Sequence, residues 1–159
     1  MTTKVPITLL RDPGHLLSFG FGSGLSPYAP GTAGTLAAIP FYLLLSTLHP
    51  VVYLLATLAS VVLGIYLCGR TSKALGVHDH AAIVWDEFAG FFITMLFVPV
   101  SLTTVILGFC LFRIFDIVKP WPASVIDTRI QGGLGVMLDD VFAGIYAMLL
   151  LHGYLKLFS

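Results

Sequence analysis

Charge is scarce in this chain. Only 10% of its 159 residues are Asp, Glu, Lys or Arg, against about 25% in a typical soluble domain. None of these four occurs between Asp12 and Arg70, nor between Glu87 and Arg113. Hydrophobic residues make up 57% and the mean hydropathy is +0.96. A soluble fold this small could not hide so much apolar surface, so the bilayer is the natural solvent. The balance of charge is zero, so nothing suggests a nucleic-acid partner. Cysteine is nearly absent too. Cys68 and Cys110 lie far apart in apolar runs and are read as buried thiols, not as a disulfide or a metal site. No H-E-x-x-H or Cys/His framework points to zinc. The N-terminus lacks the apolar core and small-residue cleavage site of a signal peptide. The length suits one membrane-embedded domain over residues 1–159, with 1–13 as a short polar lead-in.

Five apolar spans can be placed, at 33–48, 51–68, 82–98, 101–118 and 136–157. The fold class is therefore all-α and polytopic. A crossing helix needs about 20 residues, so several spans are short, and the first is expected to tilt, re-enter or thin the bilayer. An alternative treats 88–112 as one helix kinked at Pro99. The hairpin is preferred on charge. With the N-terminus inside, Lys4, Arg11, Arg70, Lys73, Arg113, Lys119 and Arg129 all fall on the cytoplasmic side, with every acid, and only Lys156 falls outside. The hairpin also sets Asp86 and Arg113 at similar depth, each roughly 20 Å from the turn at 1.5 Å per residue. Ionisable groups there need a partner or a polar cavity.

Four polar clusters sit at the inner helix ends. The first runs from Gly20 through Ser23 to Pro27, then Pro30, Gly31, Thr32 and Thr35. A glycine-rich turn entering a helix makes an anion site; the plainer reading is a capping loop with Thr32 or Thr35 as N-cap. The second is His78, Asp79 and His80, then Asp86 and Glu87. Adjacent helical residues point about 100° apart, so one of that pair is expected to ligate while the other reaches a neighbouring helix. The third is Arg113, Asp116 and Lys119, either an i,i+3 salt bridge or a phosphate grip, closed by Pro120 and Trp121. Trp121 and Trp85 are both expected at the headgroup belt. The fourth is the glycine run at 132–135 with Asp139 and Asp140, for which the bland account is acids in a helix's first turn. Asp127 and Arg129 are read as solvated loop charges. Gly90 and Gly144, each one turn beyond an acid, suit close helix packing.

Together the clusters say more than any one of them. Carboxylates without good thiol or imidazole alternatives suit a hard ion, magnesium first. Magnesium with an arginine is the usual electrostatic equipment for phosphoryl transfer. The expected substrate presents its phosphate at headgroup level and its acyl chains to the bilayer. A CDP-alcohol transferase is disfavoured because its spaced aspartates within one helix are absent, and a histidine-type lipid phosphatase because its Pro-Ser-Gly-His signature is absent. An ion-coupled transporter would want a midplane site with broken helices, whereas these acids crowd one face. The sequence specifies no oligomeric state.

The stretches GFGSGLSPYAPGTAGT, GVHDHAAIVWDEFAG, FRIFDIVKPWP and GGLGVMLDDVFAG, in this order, resemble those of the phosphatidylglycerophosphatase A family of bacterial membrane enzymes. The resemblance runs from about Gly14 to the last helix. Its one local departure is Thr35, where serine is expected as readily; the hydroxyl is kept. The resemblance implies removal of the terminal phosphate of phosphatidylglycerophosphate in phosphatidylglycerol and cardiolipin synthesis. It also implies magnesium dependence and a site on the cytoplasmic side of the bacterial inner membrane. It gives metal or catalytic roles to Asp79, Asp86, Glu87, Asp116, Asp139 and Asp140, and phosphate contact to Arg113 and Lys119. His78 or His80 is a candidate to protonate the leaving oxygen, and an aspartyl-phosphate intermediate is the alternative to direct attack by water.

Overall fold

The computed structural model describes residues 5–158, except for the side chains of residues 126–128. The expectations for Lys4 and Asp127 lie outside the described residues. After a 3-10 turn at Ile7–Arg11, the chain forms α1 (Pro13–Ser18) and a second 3-10 turn at Gly20–Leu25. Six further helices follow: α2 (Pro30–Leu45), α3 (Pro50–Leu75), α4 (Trp85–Thr94), α5 (Leu102–Val118), α6 (Ala123–Arg129) and α7 (Gly133–Phe158). Among the described residues there is no strand, so the all-α reading holds. Helices α3 and α7 are long and apolar enough to cross a membrane.

The long helices start and stop where local chemistry directs. Helix α3 begins at Pro50, whose missing N–H costs nothing at a first helical position, and the His49 side chain accepts from Val51 N. It stops at Gly76, which takes the left-handed conformation that glycine adopts without penalty. Helix α5 opens with a reciprocal cap between Ser101 and Thr104. It ends at Lys119, also left-handed (φ 46°), just ahead of Pro120.

The centre of the bundle is the short helix α4. Glu87 to Thr94 are all buried, and α4 packs on α7, α2, α3 and α5. A helix apolar all round belongs in an interior. Phe88, Phe91, Met95, Phe112, Ala143, Ala147 and Leu151 form the main core with Tyr42 of α2. Gly90 and Gly144 meet at the α4–α7 crossing: a Cβ on Gly90 would collide with Phe112 and the Asp140 carbonyl, and one on Gly144 with the Gly90 carbonyl. That is the close packing expected of them.

Several expectations need correction. The third span is a ten-residue helix, not 82–98. Its N-terminal side is held outside the helix because Val84 N donates to the Ser18 carbonyl, 2.9 Å. Its C-terminal side turns back through Phe97 (φ 59°) towards Pro99, which disfavours helix at the residue before it. The hairpin itself is present: residues 95–101 separate α4 from α5, and Arg113 reaches Glu87. Trp85 is not at the belt; it stacks on Phe88 and donates to the Ser60 carbonyl inside the bundle. Trp121 is 76% exposed. Cys68 is buried, but Cys110 faces outward, because its turn of α5 presents an apolar face to the surroundings rather than to the core. Arg129 closes α6 and is not in a loop.

Candidate active site

One cavity of ≈ 200 Å³ collects polar residues from five parts of the chain. Helix α2 contributes Pro30 and Gly31, and the 79–83 turn brings Asp79. The first turn of α4 brings Asp86 and Glu87. The C-terminal turns of α5 add Arg113, Asp116 and Lys119, and α7 adds Asp139 and Asp140.

Glu87 is the hub. Both its oxygens accept from Arg113 Nη1, and Thr35 Oγ1 donates to Oε2 at 2.8 Å. Arg113 also pairs with Asp116 at 2.7 Å, so the i,i+3 salt bridge is formed. The Arg113 Nε is buried with no hydrogen-bond partner among the described residues. Lys119, turned inward by its left-handed backbone, places Nζ 2.6 Å from Asp139 Oδ2. Asp86 Oδ1 accepts from Glu87 N, and Asp139 Oδ1 from Asp140 N.

The site is strongly acidic. Six carboxylates and two cations line the cavity, and Glu87, Asp139 and Asp140 are 7%, 7% and 3% exposed. Buried charge is costly unless paired, and two cations do not pair six carboxylates. One oxygen each of Glu87, Asp116 and Asp140 lie within 4.8 Å of one another. An all-oxygen set of that kind fits a hard divalent ion better than zinc or copper.

Nine of the residues named from the sequence thus come together: Gly31, Asp79, Asp86, Glu87, Arg113, Asp116, Lys119, Asp139 and Asp140. The lining of this cavity does not include Ser23, Thr32, Thr35, His78 or His80. Ser23 donates to the Gly20 carbonyl, and its turn uses Gly22 for a left-handed backbone (φ 96°) and Gly20 and Gly24 for packing. A Cβ on Gly24 would strike the Ala82 carbonyl, and one on Gly20 would strike Val84 and Phe88. Neither Thr32 nor Thr35 is the N-cap of α2; that position is Ala29. His78 Nδ1 accepts from Gly132 N, and the buried His80 accepts from Ala82 N. In the run at 132–135, Gly133 lies against Ile65 and Gly69 of α3 and Gly135 against the Ile130 carbonyl, whereas Gly132 stands in open space and supplies a left-handed turn (φ 80°). Asp139 and Asp140 are not in a first turn; α7 begins at Gly133, so they lie nearly two turns inside it, and the macrodipole account of them falls. Sequence reasoning missed the link from Thr35 to Glu87. Its only signal was a hydroxyl four residues after Gly31, the spacing at which a threonine bonds back to its own helix.

An apolar all-α bundle with two helices long enough to cross a membrane, and with six carboxylates gathered around an arginine and a lysine in one cavity, defines the class of protein. A family model of phosphatidylglycerophosphatase A matches residues 16–155. Phosphatidylglycerophosphatase A of Escherichia coli (strain K12) is 47% identical over 144 residues, 90% of this chain and 84% of the relative. The protein of the same name from Haemophilus influenzae is 48% identical over 142 residues, 88% of this chain and 87% of the relative. A Bacteroides thetaiotaomicron protein provisionally named phosphatidylinositol-3-phosphatase is 42% identical over 144 residues, 86% of this chain and 89% of the relative. No solved structure matches. The chain belongs to the phosphatidylglycerophosphatase A family and is a phosphatase acting on a phosphate monoester.

Proposed function

We propose that this enzyme hydrolyses phosphatidylglycerophosphate to phosphatidylglycerol and inorganic phosphate, with magnesium, at the cytoplasmic face of the bacterial inner membrane. The product would feed phosphatidylglycerol and cardiolipin synthesis. The observation that carries this reading is the cavity with six carboxylates against two cations. The names of the two relatives from Escherichia coli and Haemophilus influenzae support the headgroup.

Glu87, Asp116 and Asp140 would hold the ion, with Asp79, Asp86 and Asp139 around them. When bound, magnesium supplies positive charge that offsets the phosphate's and favours in-line attack. The remaining work belongs to the chain. Arg113 presents a planar fork to the phosphoryl oxygens once substrate competes for it with Glu87 and Asp116. Lys119 is a second point charge on the α6 side. The bundle excludes water on its other flanks, which strengthens each of these contacts. Five helices, α2, α3, α4, α5 and α7, would be embedded, with α2 and α4 entering only part-way. That embedding would put the cavity at headgroup depth, where a lipid phosphate sits while its acyl chains remain in the bilayer.

The test is phosphate release from phosphatidylglycerophosphate by detergent-purified protein, with magnesium and then with chelator, beside Asp86→Asn. Magnesium-dependent release that disappears on chelation and in the variant is expected. No release from well-folded wild type would overturn the proposal. The Bacteroides relative's provisional name makes phosphatidylinositol 3-phosphate the first competing headgroup to run alongside, with phosphatidic acid second; faster release from either would reassign the substrate.

A further inference from the structure

Thr35 is completely buried in the second turn of α2. Its hydroxyl lies 3.0 Å from the Gly31 carbonyl and 2.8 Å from Glu87 Oε2. The first contact is the back-bond that helical threonines make to the residue four earlier, and it selects one of the two χ1 rotamers open to threonine in a helix. In that rotamer Oγ1 faces the Glu87 carboxylate. A hydroxyl bond to an ionised acceptor is the stronger kind, so the proton serves Glu87 ahead of the carbonyl.

Glu87 needs such a partner. Its side chain has several rotamers, and ordering it costs free energy. Arg113 touches both Glu87 and Asp116, so that pairing alone would tolerate more than one carboxylate orientation. Thr35 removes this freedom from the opposite side, and α2 adds a wall: a Cβ on Gly31 would collide with Glu87 Oε1 and the Arg113 guanidinium. Thr35 is not part of the cavity lining, so it is not placed to touch a phosphate.

We propose that Thr35 is a positioning residue whose hydroxyl holds Glu87 Oε2 in the orientation in which Glu87, Asp116 and Asp140 converge. This rests on the divalent-cation phosphatase reading given above. Outer hydrogen-bond partners of metal ligands are worth about 10–100-fold in metal affinity or activity.

The experiment compares Thr35→Ser, Thr35→Ala and Thr35→Val with wild type in detergent. Two quantities are read: the Mg2+ concentration giving half of the ion-induced rise in melting temperature, and phosphate release from phosphatidylglycerophosphate. Serine should stay close to wild type, while alanine and valine should each need about tenfold more Mg2+ or worse, with release falling in step. Valine preserves the shape of threonine, so a packing role alone predicts the opposite order, with valine near wild type and serine failing with alanine. That order, or equal Mg2+ dependence in all four proteins, would overturn the proposal, as would a wild type that Mg2+ does not stabilise. If valine does not fold, the serine–alanine pair decides by itself, because the two differ only in the hydroxyl. A wild type that shows the expected Mg2+ order but releases no phosphate would remove the phosphatase reading and leave the positioning role standing.

Discussion

At the scale of single residues, the acidic excess is the feature with the widest consequences. Asp140 is buried and has Glu87 and Asp116 as neighbours across the cavity. Asp140→Asn should lower phosphate release by at least about 100-fold, the size of effect seen when one preorganised electrostatic partner is lost, and should weaken stabilisation by Mg2+ in the same preparation. Arg113→Lys retains the charge and loses the planar guanidinium, whose Nη1 meets both Glu87 and Asp116 and whose remaining N–H groups are those proposed to grip phosphate. A similar loss of about 100-fold is expected, and unchanged release would show that any cation suffices there. Gly31→Ala forces a methyl group against Glu87 and Arg113, at a cost of about 1–3 kcal/mol in thermal unfolding together with most of the activity. These residues were legible from the sequence because charged groups in an apolar chain are costly and so carry meaning. Thr35 was visible as a polar residue near the site, but its partner was not, since Glu87 lies 52 residues further along the chain.

At the scale of elements, α4 is the piece on which the site depends. It is short, buried throughout, and crosses α7 where Gly90 and Gly144 bring the backbones together. Gly90→Val should destabilise the bundle by about 1–3 kcal/mol, and it should move Glu87 relative to Asp140, so activity would fall below what the loss of folded protein explains. The α1 segment is tied to α3 differently. Asp12 accepts two bonds from Arg70, with 2.6 Å to Nη2, and caps α1 through Gly14 N and His15 N. The Arg70 guanidinium, opposed by some burial and aided by the cap, pulls the Asp12 carboxyl from its ordinary 3.8 to about 2. A depressed carboxyl stabilises the fold above its unfolded value and stops doing so as pH falls through its folded value. Asp12→Asn should therefore melt below wild type at neutral pH, and the gap should close between pH 3.8 and about 2. A gap that persists at the acid end would mean that the charge is not its source. Element boundaries were less legible than element existence. A run of apolar residues from 82 to 98 reads as a span by composition, whereas Val84's bond to Ser18 and the turn at Phe97 cut it to ten residues.

At the scale of the whole molecule, the carboxylate cavity and the turns joining α2 to α3 and α4 to α5 lie at opposite ends of the bundle. With Arg70, Lys73, Arg113 and Lys119 near the first end, the positive-inside tendency supports the proposed orientation, in which that end faces the cytoplasm. Val77 and Val100 are 37% and 51% exposed on either side. In a background free of Cys68 and Cys110, Val100→Cys should react with a membrane-impermeant maleimide added to intact spheroplasts. Val77→Cys should react only after permeabilisation. The reverse pattern would invert the orientation, and labelling of both from one side would remove the proposed depth of the hairpin.

The sequence by itself pointed to the bilayer and determined the helical class, the hairpin and the identity of the charged residues that meet. Each follows from a cost that does not depend on the fold: charge avoids hydrocarbon, and backbone in hydrocarbon must bond to itself. Only the tertiary structure decided which polar groups touch. It divided the glycines among close packing, left-handed turns such as Gly76, and admitting Glu87 beside Gly31. It took Trp85 from the belt into the bundle, left His78 and His80 off the cavity lining, and gave Thr35 to Glu87. Those outcomes depend on how helices distant in sequence cross, which is set by the fit of whole surfaces and not by the periodicity of any one of them.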